Sequence, residues 1–209
     1  MANAAEAEKV VSEISSAGGQ ALAIQADVSQ EADVSRLFEQ TGRQLGGVDV
    51  VVNNAGIMDL KPIADAGDEL FERTFAINVR GTFNMMRAAA KLLRAGGRII
   101  NFSTSVLGLA LPTYGVYVAS KGAVEALTRT AAKELRGRNI TVNAVAPGPT
   151  ATDLFLKGKT QEQLQNFAKM PPLERLGTPA DIAGVVSFLA GKDGGWINGQ
   201  IVRANGGLV

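Results

Sequence analysis

A tyrosine and a lysine four residues apart are the pair in this sequence best suited to proton transfer. Tyr117 and Lys121 lie in a segment, Val116 to Arg136, whose apolar spacing predicts a helix, and residues four apart share one face of a helix. An ammonium beside a phenol favours the phenolate, so we expect Lys121 to lower the pKa of Tyr117 below its usual value of about 10. Such a phenol can donate a proton to a carbonyl oxygen or accept one from an alcohol. Because a tyrosine and a lysine on a protein surface often show this spacing by chance, the surrounding segments must show whether the pair is functional.

Two apolar runs upstream end in small or polar residues. Residues 50–52 are all valine and lead into Asn-Asn-Ala-Gly at 53–56, while the isoleucines at 99–100 lead into three hydroxyl residues at 103–105. Small residues at the carboxyl end of a strand let a flat ligand approach the backbone, and a hydroxyl there can bind a substrate oxygen. Both strand ends are therefore candidates to share one site with Tyr117.

The residue types that the chain lacks exclude several kinds of chemistry. Its 209 residues include no cysteine and no histidine, which rules out disulfides, thiolate nucleophiles, a Ser-His-Asp triad and the common metal sites. A net charge of +1 gives no electrostatic reason to bind nucleic acid or an anionic membrane. No apolar run approaches the ~20 residues of a membrane span. We therefore expect a cytoplasmic protein with no metal, no nucleic acid partner and no membrane association.

Helix and strand patterns alternate along the whole chain. The run 48–52, which is all valine except for Asp49, is typical of a strand buried on both faces. Strands separated by long helices indicate right-handed parallel βαβ units. The sequence therefore predicts an α/β fold with a doubly wound parallel sheet. The predicted helices are 4–16, 31–45, 70–93, 116–136, 160–169 and 179–190, and the predicted strands are 21–25, 48–52, 98–103, 141–146 and 200–204.

Five motifs, taken together and in order, resemble those of short-chain dehydrogenases/reductases. They are Asn-Asn-Ala-Gly at 53–56, Asn78, the serine near 105, Tyr117-x-x-x-Lys121, and the loop 147–152. The resemblance covers essentially the whole chain, and it is greatest to 3-oxoacyl-acyl-carrier-protein reductases and NADPH-dependent aldehyde reductases. It implies a single Rossmann-like oxidoreductase domain over residues 1–209 that interconverts a carbonyl and an alcohol with NADP(H), NAD(H) being the alternative cofactor.

The resemblance also implies a role for each catalytic residue. Tyr117 would be the general acid in reduction and the base in oxidation. Lys121 would lower the pKa of Tyr117 and hold the hydroxyls of the nicotinamide ribose. Asn78 would hold a water that links Lys121 to bulk solvent, and Ser105 would orient the substrate carbonyl.

Cofactor contacts are implied in three further segments. Asn54, Ala55 and Gly56 would line the adenosine-ribose region, and Asp27 with Val28 would lie beside the adenine. The loop from Pro147 to Thr152 would hold the nicotinamide carboxamide. The implied contacts from this loop and the catalytic helix are Pro147, Gly148, Thr150, Thr152, Tyr117 and Lys121.

Two neighbouring residues compete for the role of the substrate-orienting hydroxyl. Ser105 begins a Ser-x-x-Gly pattern that ends at Gly108, as the family's serine usually does, but it lies twelve residues before Tyr117. The commoner spacing of thirteen residues reaches Thr104 instead. We favour Ser105, because Gly108 fixes the turn just after it and a loop one residue shorter reconciles the count.

One part of the family pattern has no counterpart in this sequence. The motif Thr-Gly-x-x-x-Gly-x-Gly, which places the cofactor pyrophosphate on a helix N-terminus, is absent. By comparison with the family, the chain lacks the first strand, the first helix and most of the second strand, so we predict an N-terminally truncated sheet. The predicted strand 21–25 must then pair directly with 48–52 or detach, and the edge of 48–52 becomes exposed.

The resemblance leaves two functions open. In the first, the chain is an active reductase whose residues 153–173 form a substrate lid, with Phe155, Leu156 and Phe167 indicating an apolar substrate. In the second, it is a catalytically silent remnant that acts only through association with full-length relatives. The resemblance also implies a homo-oligomer, a dimer or tetramer, because the two long predicted helices resemble the dimer-forming pair of the family.

Overall fold

The computed structural model describes residues 4–209 and contains a parallel sheet of four strands. The strands follow the order of the sequence, with β1 beside β2, β2 beside β3 and β3 beside β4. Because all four are parallel, their carboxyl ends meet at one edge, where ligands bind in sheets of this type. The strands are β1 (Val50–Asn53), β2 (Arg98–Phe102), β3 (Thr141–Pro147) and β4 (Ile201–Ala204).

Helices connect the strands, and most of their bounds agree with the sequence prediction. Those predicted at 4–16, 31–45 and 179–190 form with the same bounds. Short 3-10 turns at 63–65, 105–108 and 192–194 were not predicted. The helices are α1 (Ala4–Ser16), α2 (Glu31–Leu45), α3 (Asp68–Phe75), α4 (Thr82–Leu92), α5 (Gly115–Glu134), α6 (Asp153–Leu156), α7 (Gln161–Lys169) and α8 (Pro179–Ala190).

Two apolar clusters fill the faces of the sheet. On one face, α2, α4 and α5 pack over Val51, Ile99 and Val142 of the first three strands. On the other face, α8 packs over Ile100 and Val145. Neighbouring residues of β2 thus enter opposite clusters, as the alternation of side chains along a strand requires. The predicted doubly wound arrangement is confirmed.

The helix predicted over 70–93 is interrupted in the middle. Residues Ala76–Gly81 form a π-helical stretch between α3 and α4. Such stretches are rare and are frequent at functional sites. This one contains the buried Asn78, and Gly81 at its end lies so close to Val28 that an added side-chain carbon would be 2.6 Å from the valine Cγ2.

The strand predicted at 21–25 is wrong. The segment has no regular structure, and among the described residues the outer edge of β1 pairs with no other strand. A strand forms only where its backbone groups find partners. Of the two predicted alternatives, pairing with 48–52 or detachment from the sheet, the segment shows the second. The predicted exposure of the edge is confirmed, since Val50 and Val52 are 40% and 41% exposed.

Candidate active site

A cavity of about 850 Å³ lies at the carboxyl ends of β1, β2 and β3. The amino-terminal part of α5 forms one wall, and α6, α7 and α8 form the opposite side. The residues that follow β1 and those that follow β2, both predicted from the sequence as parts of one site, line this cavity although they are more than forty residues apart. The predicted site residues that line the cavity are Asn54, Gly56, Tyr117, Lys121, Pro147, Gly148, Thr150 and Thr152.

Tyr117 and Lys121 face this cavity from adjacent turns of α5. Both are deeply buried, with exposed fractions of 8% and 6%. The Lys121 ammonium donates a hydrogen bond of 2.8 Å to the Phe102 carbonyl oxygen and lies 5.9 Å from the centre of the Tyr117 ring. The shared helix face is therefore confirmed, but the ammonium approaches the ring of the tyrosine and is held by the end of β2.

The pKa of Tyr117 departs from its usual value in the direction opposite to our prediction. Burial raises the pKa of Tyr117 to about 12, and an interaction with the Thr104 side chain only partly opposes that rise. Burial also lowers the pKa of Lys121 to about 8. The predicted lowering of the tyrosine pKa is wrong for the protein alone, because loss of water around the phenol outweighs the effect of its neighbours. At neutral pH the phenol keeps its proton.

The two competing hydroxyl residues occupy different environments. Thr104 lines the cavity and interacts with the Tyr117 side chain. Ser105 is 1% exposed, donates to the Ala146 carbonyl oxygen at 2.8 Å and accepts from the Asn205 amide at 3.0 Å. This geometry favours Thr104 over our preferred Ser105, because the Ser105 hydroxyl is bound to Ala146 and Asn205 whereas Thr104 lines the cavity. The spacing of thirteen residues pointed to the better-placed residue.

Asn78 fixes the loop that follows β1. Its side-chain amide donates to the Ile57 carbonyl oxygen at 3.0 Å and to the Ser120 hydroxyl at 3.1 Å, while its oxygen accepts from the Ile57 backbone at 2.9 Å. A side-chain carbon at Gly56 would lie 3.3 Å from that oxygen and 3.5 Å from the Lys121 ammonium. Asn78 thus lies beside Lys121, as predicted, but its amide group binds protein atoms.

Three of the predicted cofactor residues lie outside the cavity lining. Asp27 and Val28 belong to a loop that Asn84 of α4 holds through bonds of 3.0 and 3.2 Å to the backbone of Val28 and Ser29. They therefore do not share the cavity with Tyr117. Ala55 is likewise absent from the lining, although its neighbours on both sides are part of it.

The predicted loop after β3 is held in place by a second backbone segment. Gly177 and Pro149 are joined by a backbone hydrogen bond of 2.8 Å, and Gly177 accepts from Ala151 at 2.9 Å. The Thr150 hydroxyl donates to the Gly148 carbonyl at 3.0 Å. The loop is thereby set against the strand ends, with Thr150 and Thr152 lining the cavity.

The predicted lid segment, 153–173, folds into α6 and α7. Phe155 and Phe167 meet edge to face, with ring centres 5.2 Å apart, and both line the cavity together with Leu154. The predicted Leu156 is absent from the lining. Two aromatic residues from this segment therefore face Tyr117 across the cavity.

Comparison with known proteins agrees with the arrangement of these residues. The family model described as enoyl-(acyl carrier protein) reductase matches residues 1–209. A short-chain type dehydrogenase/reductase of Picea abies is 46% identical over 196 residues, covering 92% of this chain and 72% of the relative. The chain belongs to the short-chain dehydrogenase/reductase family.

A further relative and two solved structures extend the likeness to nearly the full chain. An NADPH-dependent aldehyde reductase-like chloroplastic protein of Arabidopsis thaliana is 42% identical, covering 99% of this chain and 82% of the relative. A blue fluorescent protein from a metagenomic library, solved with NADPH, superposes with a TM-score of 0.91 at 39% identity, covering 97% and 82% of the two chains. A putative dehydrogenase of Burkholderia cenocepacia with bound NADP gives 0.94 at 31% identity, covering 98% and 79%.

Over residues 4–209 the structure shows neither a cluster of metal ligands nor a membrane-spanning helix. Within that range, no group of three Asp or Glu side chains comes together as metal ligands would. In the same range, no helix has both the length and the apolar composition that crossing a membrane demands.

Proposed function

We propose that the chain reduces the carbonyl of a ketone or aldehyde to an alcohol, with NADP(H) as the cofactor, and that it catalyses the reverse oxidation. The observation that carries this proposal is the buried phenol of Tyr117, which remains protonated, beside the Thr104 side chain and the Lys121 ammonium. A buried proton donor at the carboxyl ends of parallel strands suits the reduction of a bound carbonyl.

The cavity residues fit the nicotinamide half of such a cofactor. The backbone at Gly56 leaves space that any other side chain would fill, and donors from Lys121, Thr150 and Thr152 line the same cavity. When bound, the cofactor supplies the hydride. NADP(H) is preferred over NAD(H) because relatives solved with NADPH or NADP resemble the chain over nearly its full length.

Three side chains stabilise the charges that form when the substrate oxygen is protonated. Tyr117 donates its proton to the carbonyl oxygen as that oxygen gains negative charge, and Thr104 stabilises the same charge through its hydroxyl. The phenolate left on Tyr117 is stabilised by the ammonium of Lys121, whose pKa of about 8 leaves it largely protonated at neutral pH. In the oxidation direction the same residues act in reverse, and the phenolate accepts the proton of the alcohol.

The substrate is proposed to be uncharged and apolar around its carbonyl group. Among the described residues that line the cavity, Lys121 is the only one with a charged side chain. A charged substrate would lose its hydration there, and its one possible ionic partner, Lys121, already donates to the Phe102 carbonyl oxygen, whereas an apolar substrate gains from burial. The side chains that form the apolar wall are Val106, Leu109, Leu111, Leu154, Phe155 and Phe167.

Oxidation of NADPH with a panel of apolar ketones and aldehydes tests this proposal. Tyr117→Phe is expected to lower kcat by about a thousandfold, since it removes the general acid, while leaving the Kd for NADPH within about twofold. Tyr114→Phe, which changes the only other tyrosine, is the matched control and should lower kcat no more than about threefold. Equal losses in the two variants would overturn the assignment of Tyr117.

The open edge of β1 favours a second candidate function, that of a silent partner for longer relatives. Val50 and Val52 are exposed there, and their strand leaves its outer backbone groups unpaired among the described residues. Calorimetric titration separates the two functions. A reductase binds NADPH with a measurable Kd, whereas a silent partner binds neither NADPH nor NADH and turns over no carbonyl.

We further propose that the chain is cytoplasmic and forms a dimer or tetramer. Phe83 and Leu92 on α4 and Phe71 on α3 are large apolar residues that the fold leaves exposed, and such side chains are typical of surfaces between subunits. Light scattering should give two or four times the monomer mass. A monomer at micromolar concentration would contradict this part of the proposal.

A further inference from the structure

Three successive residues at the end of β2 each contact one of three α5 residues spaced four apart. The first two contacts, described above, join Thr104 to Tyr117 and the Phe102 carbonyl to Lys121. In the third, the Ser103 hydroxyl donates to the Glu125 carboxylate at 2.8 Å. The catalytic face of α5 therefore extends one turn further than the sequence motif, and its third residue is a carboxylate.

Glu125 is well placed to restrain the strand. Its side chain is 17% exposed, and its second carboxylate oxygen lies 3.0 Å from the guanidinium of Arg129, which is 55% exposed. Ser103 is 3% exposed and its backbone donates to the Val145 carbonyl of β3 at 2.8 Å. Ser103 is thus held from two sides, by β3 through its backbone and by α5 through its hydroxyl. Hydrogen bonds to a carboxylate are stronger than those between neutral groups.

We propose that Glu125 is a positioning residue for the carbonyl reduction proposed above, on which this inference rests: its carboxylate locks Ser103 to α5 and so fixes Thr104 relative to Tyr117. Ser103 directly precedes Thr104, so a shift of one moves the other. The hydroxyls of Thr104 and Tyr117 must reach the same substrate oxygen. Displacements of about 1 Å at a reacting centre can lower the rate about 100-fold. Glu125 itself does not line the cavity, so its effect reaches the substrate only through Ser103.

A set of four variants tests this inference by carbonyl reduction. Glu125→Ala removes the acceptor and is expected to lower kcat about tenfold or more, with the Kd for NADPH unchanged. Glu125→Gln keeps an oxygen that accepts from Ser103 and should restore kcat to within about twofold of the parent. Ser103→Ala should match Glu125→Ala, and the double variant should be no slower than either. Arg129→Gln, the matched control, removes only the exposed ion pair and should leave kcat unchanged.

Hydrogen exchange of the same variants provides a readout without turnover. In the protein without cofactor, backbone amides of residues 102–105 should exchange faster in Glu125→Ala than in the parent, and Glu125→Gln should be protected like the parent. If Glu125→Ala leaves both kcat and exchange at 102–105 unchanged, or if Gln behaves like Ala, Glu125 is not a positioning residue. A parent protein that binds NADPH but turns over no carbonyl removes the proposed function. In that case the exchange result still decides whether Glu125 restrains the strand.

Discussion

The interior of the sheet and its open edge at β1 differ in how completely they are packed. At β3, Val142 and Val145 are fully buried and helices cover both faces. At β1, Val50 and Val52 are 40% and 41% exposed. Nearby in the sequence, α1 buries none of its residues, and the segment 21–25 pairs with no strand among the described residues. The residues proposed for proton transfer all belong to the well-packed interior, where β2, β3 and α5 hold them through buried contacts.

This difference separates the two halves of the proposed cofactor site. Residues implied to hold the nicotinamide, from the loop 147–152 and α5, line the cavity. Asp27 and Val28, implied to lie beside the adenine, are attached to α4 away from it. The residues proposed for the nicotinamide half therefore line one cavity around α5, whereas Asp27 and Val28, proposed for the adenine half, lie outside that lining. The following experiments test the contrast between the packed interior of the sheet and its open edge.

The largest expected effect concerns the two hydroxyl residues that follow β2, in the well-packed interior of the sheet. Thr104→Val keeps the shape of the side chain but removes its hydroxyl, and we expect kcat/KM to fall about 100-fold because a donor to the developing charge is lost. Ser105→Ala should reduce kcat/KM by no more than about threefold while lowering stability by about 1 kcal/mol, since its bonds join only protein atoms. Steady-state kinetics and urea unfolding of both variants make the measurement.

The reverse result would restore the sequence prediction. If Ser105→Ala loses activity and Thr104→Val retains it, the end of β2 rotates when substrate binds and Ser105 is the orienting hydroxyl. The contrast between a catalytic and a structural hydroxyl would then be lost.

A second comparison uses the same substitution on an interior strand, β3, and on the edge strand, β1. Val142→Ala creates a cavity in the core and should lower the free energy of unfolding by about 2 kcal/mol. Val50→Ala removes a half-exposed side chain and should lower it by less than about 1 kcal/mol. Chemical denaturation measures both values. Equal losses would indicate that the edge of β1 is covered in solution, for example by a second copy of the chain.

The pH dependence of reduction tests the charge of Lys121 in the same site. Lys121, with a pKa of about 8, carries its charge below that pH and loses it above, so kcat/KM for reduction should fall about tenfold for each unit above pH 8. Tyr117, with its pKa raised to about 12, stays protonated over the whole range and does not contribute to the fall. Rate profiles between pH 6 and 10 provide the measurement.

Lys121→Arg provides the control for this profile. A guanidinium stays charged throughout, so the variant should be slower than the parent but its rate should not fall above pH 8. A fall near pH 8 that persists in the arginine variant would mean that another group controls the rate.

Much of the fold followed from local sequence patterns. The helices at 4–16, 31–45 and 179–190 were predicted with their observed bounds, because apolar spacing and glycine stops act within the segment itself. The strand predicted at 21–25 did not form, since strand formation depends on a partner elsewhere in the chain, which local patterns do not reveal. Local patterns also did not reveal the π-helical stretch at 76–81, which places Asn78 against Ile57.

The sequence alone determined which residues meet at the site, because their types, order and spacing placed Tyr117 and Lys121 on one helix face and two strand ends beside it. Only the tertiary structure determined the burial of the tyrosine, the different surroundings of Thr104 and Ser105, and the contact of Ser103 with Glu125. Burial and the rotation of a strand end result from packing of distant segments. A pKa or the direction of a hydroxyl therefore depends on neighbours that spacing along the chain does not specify.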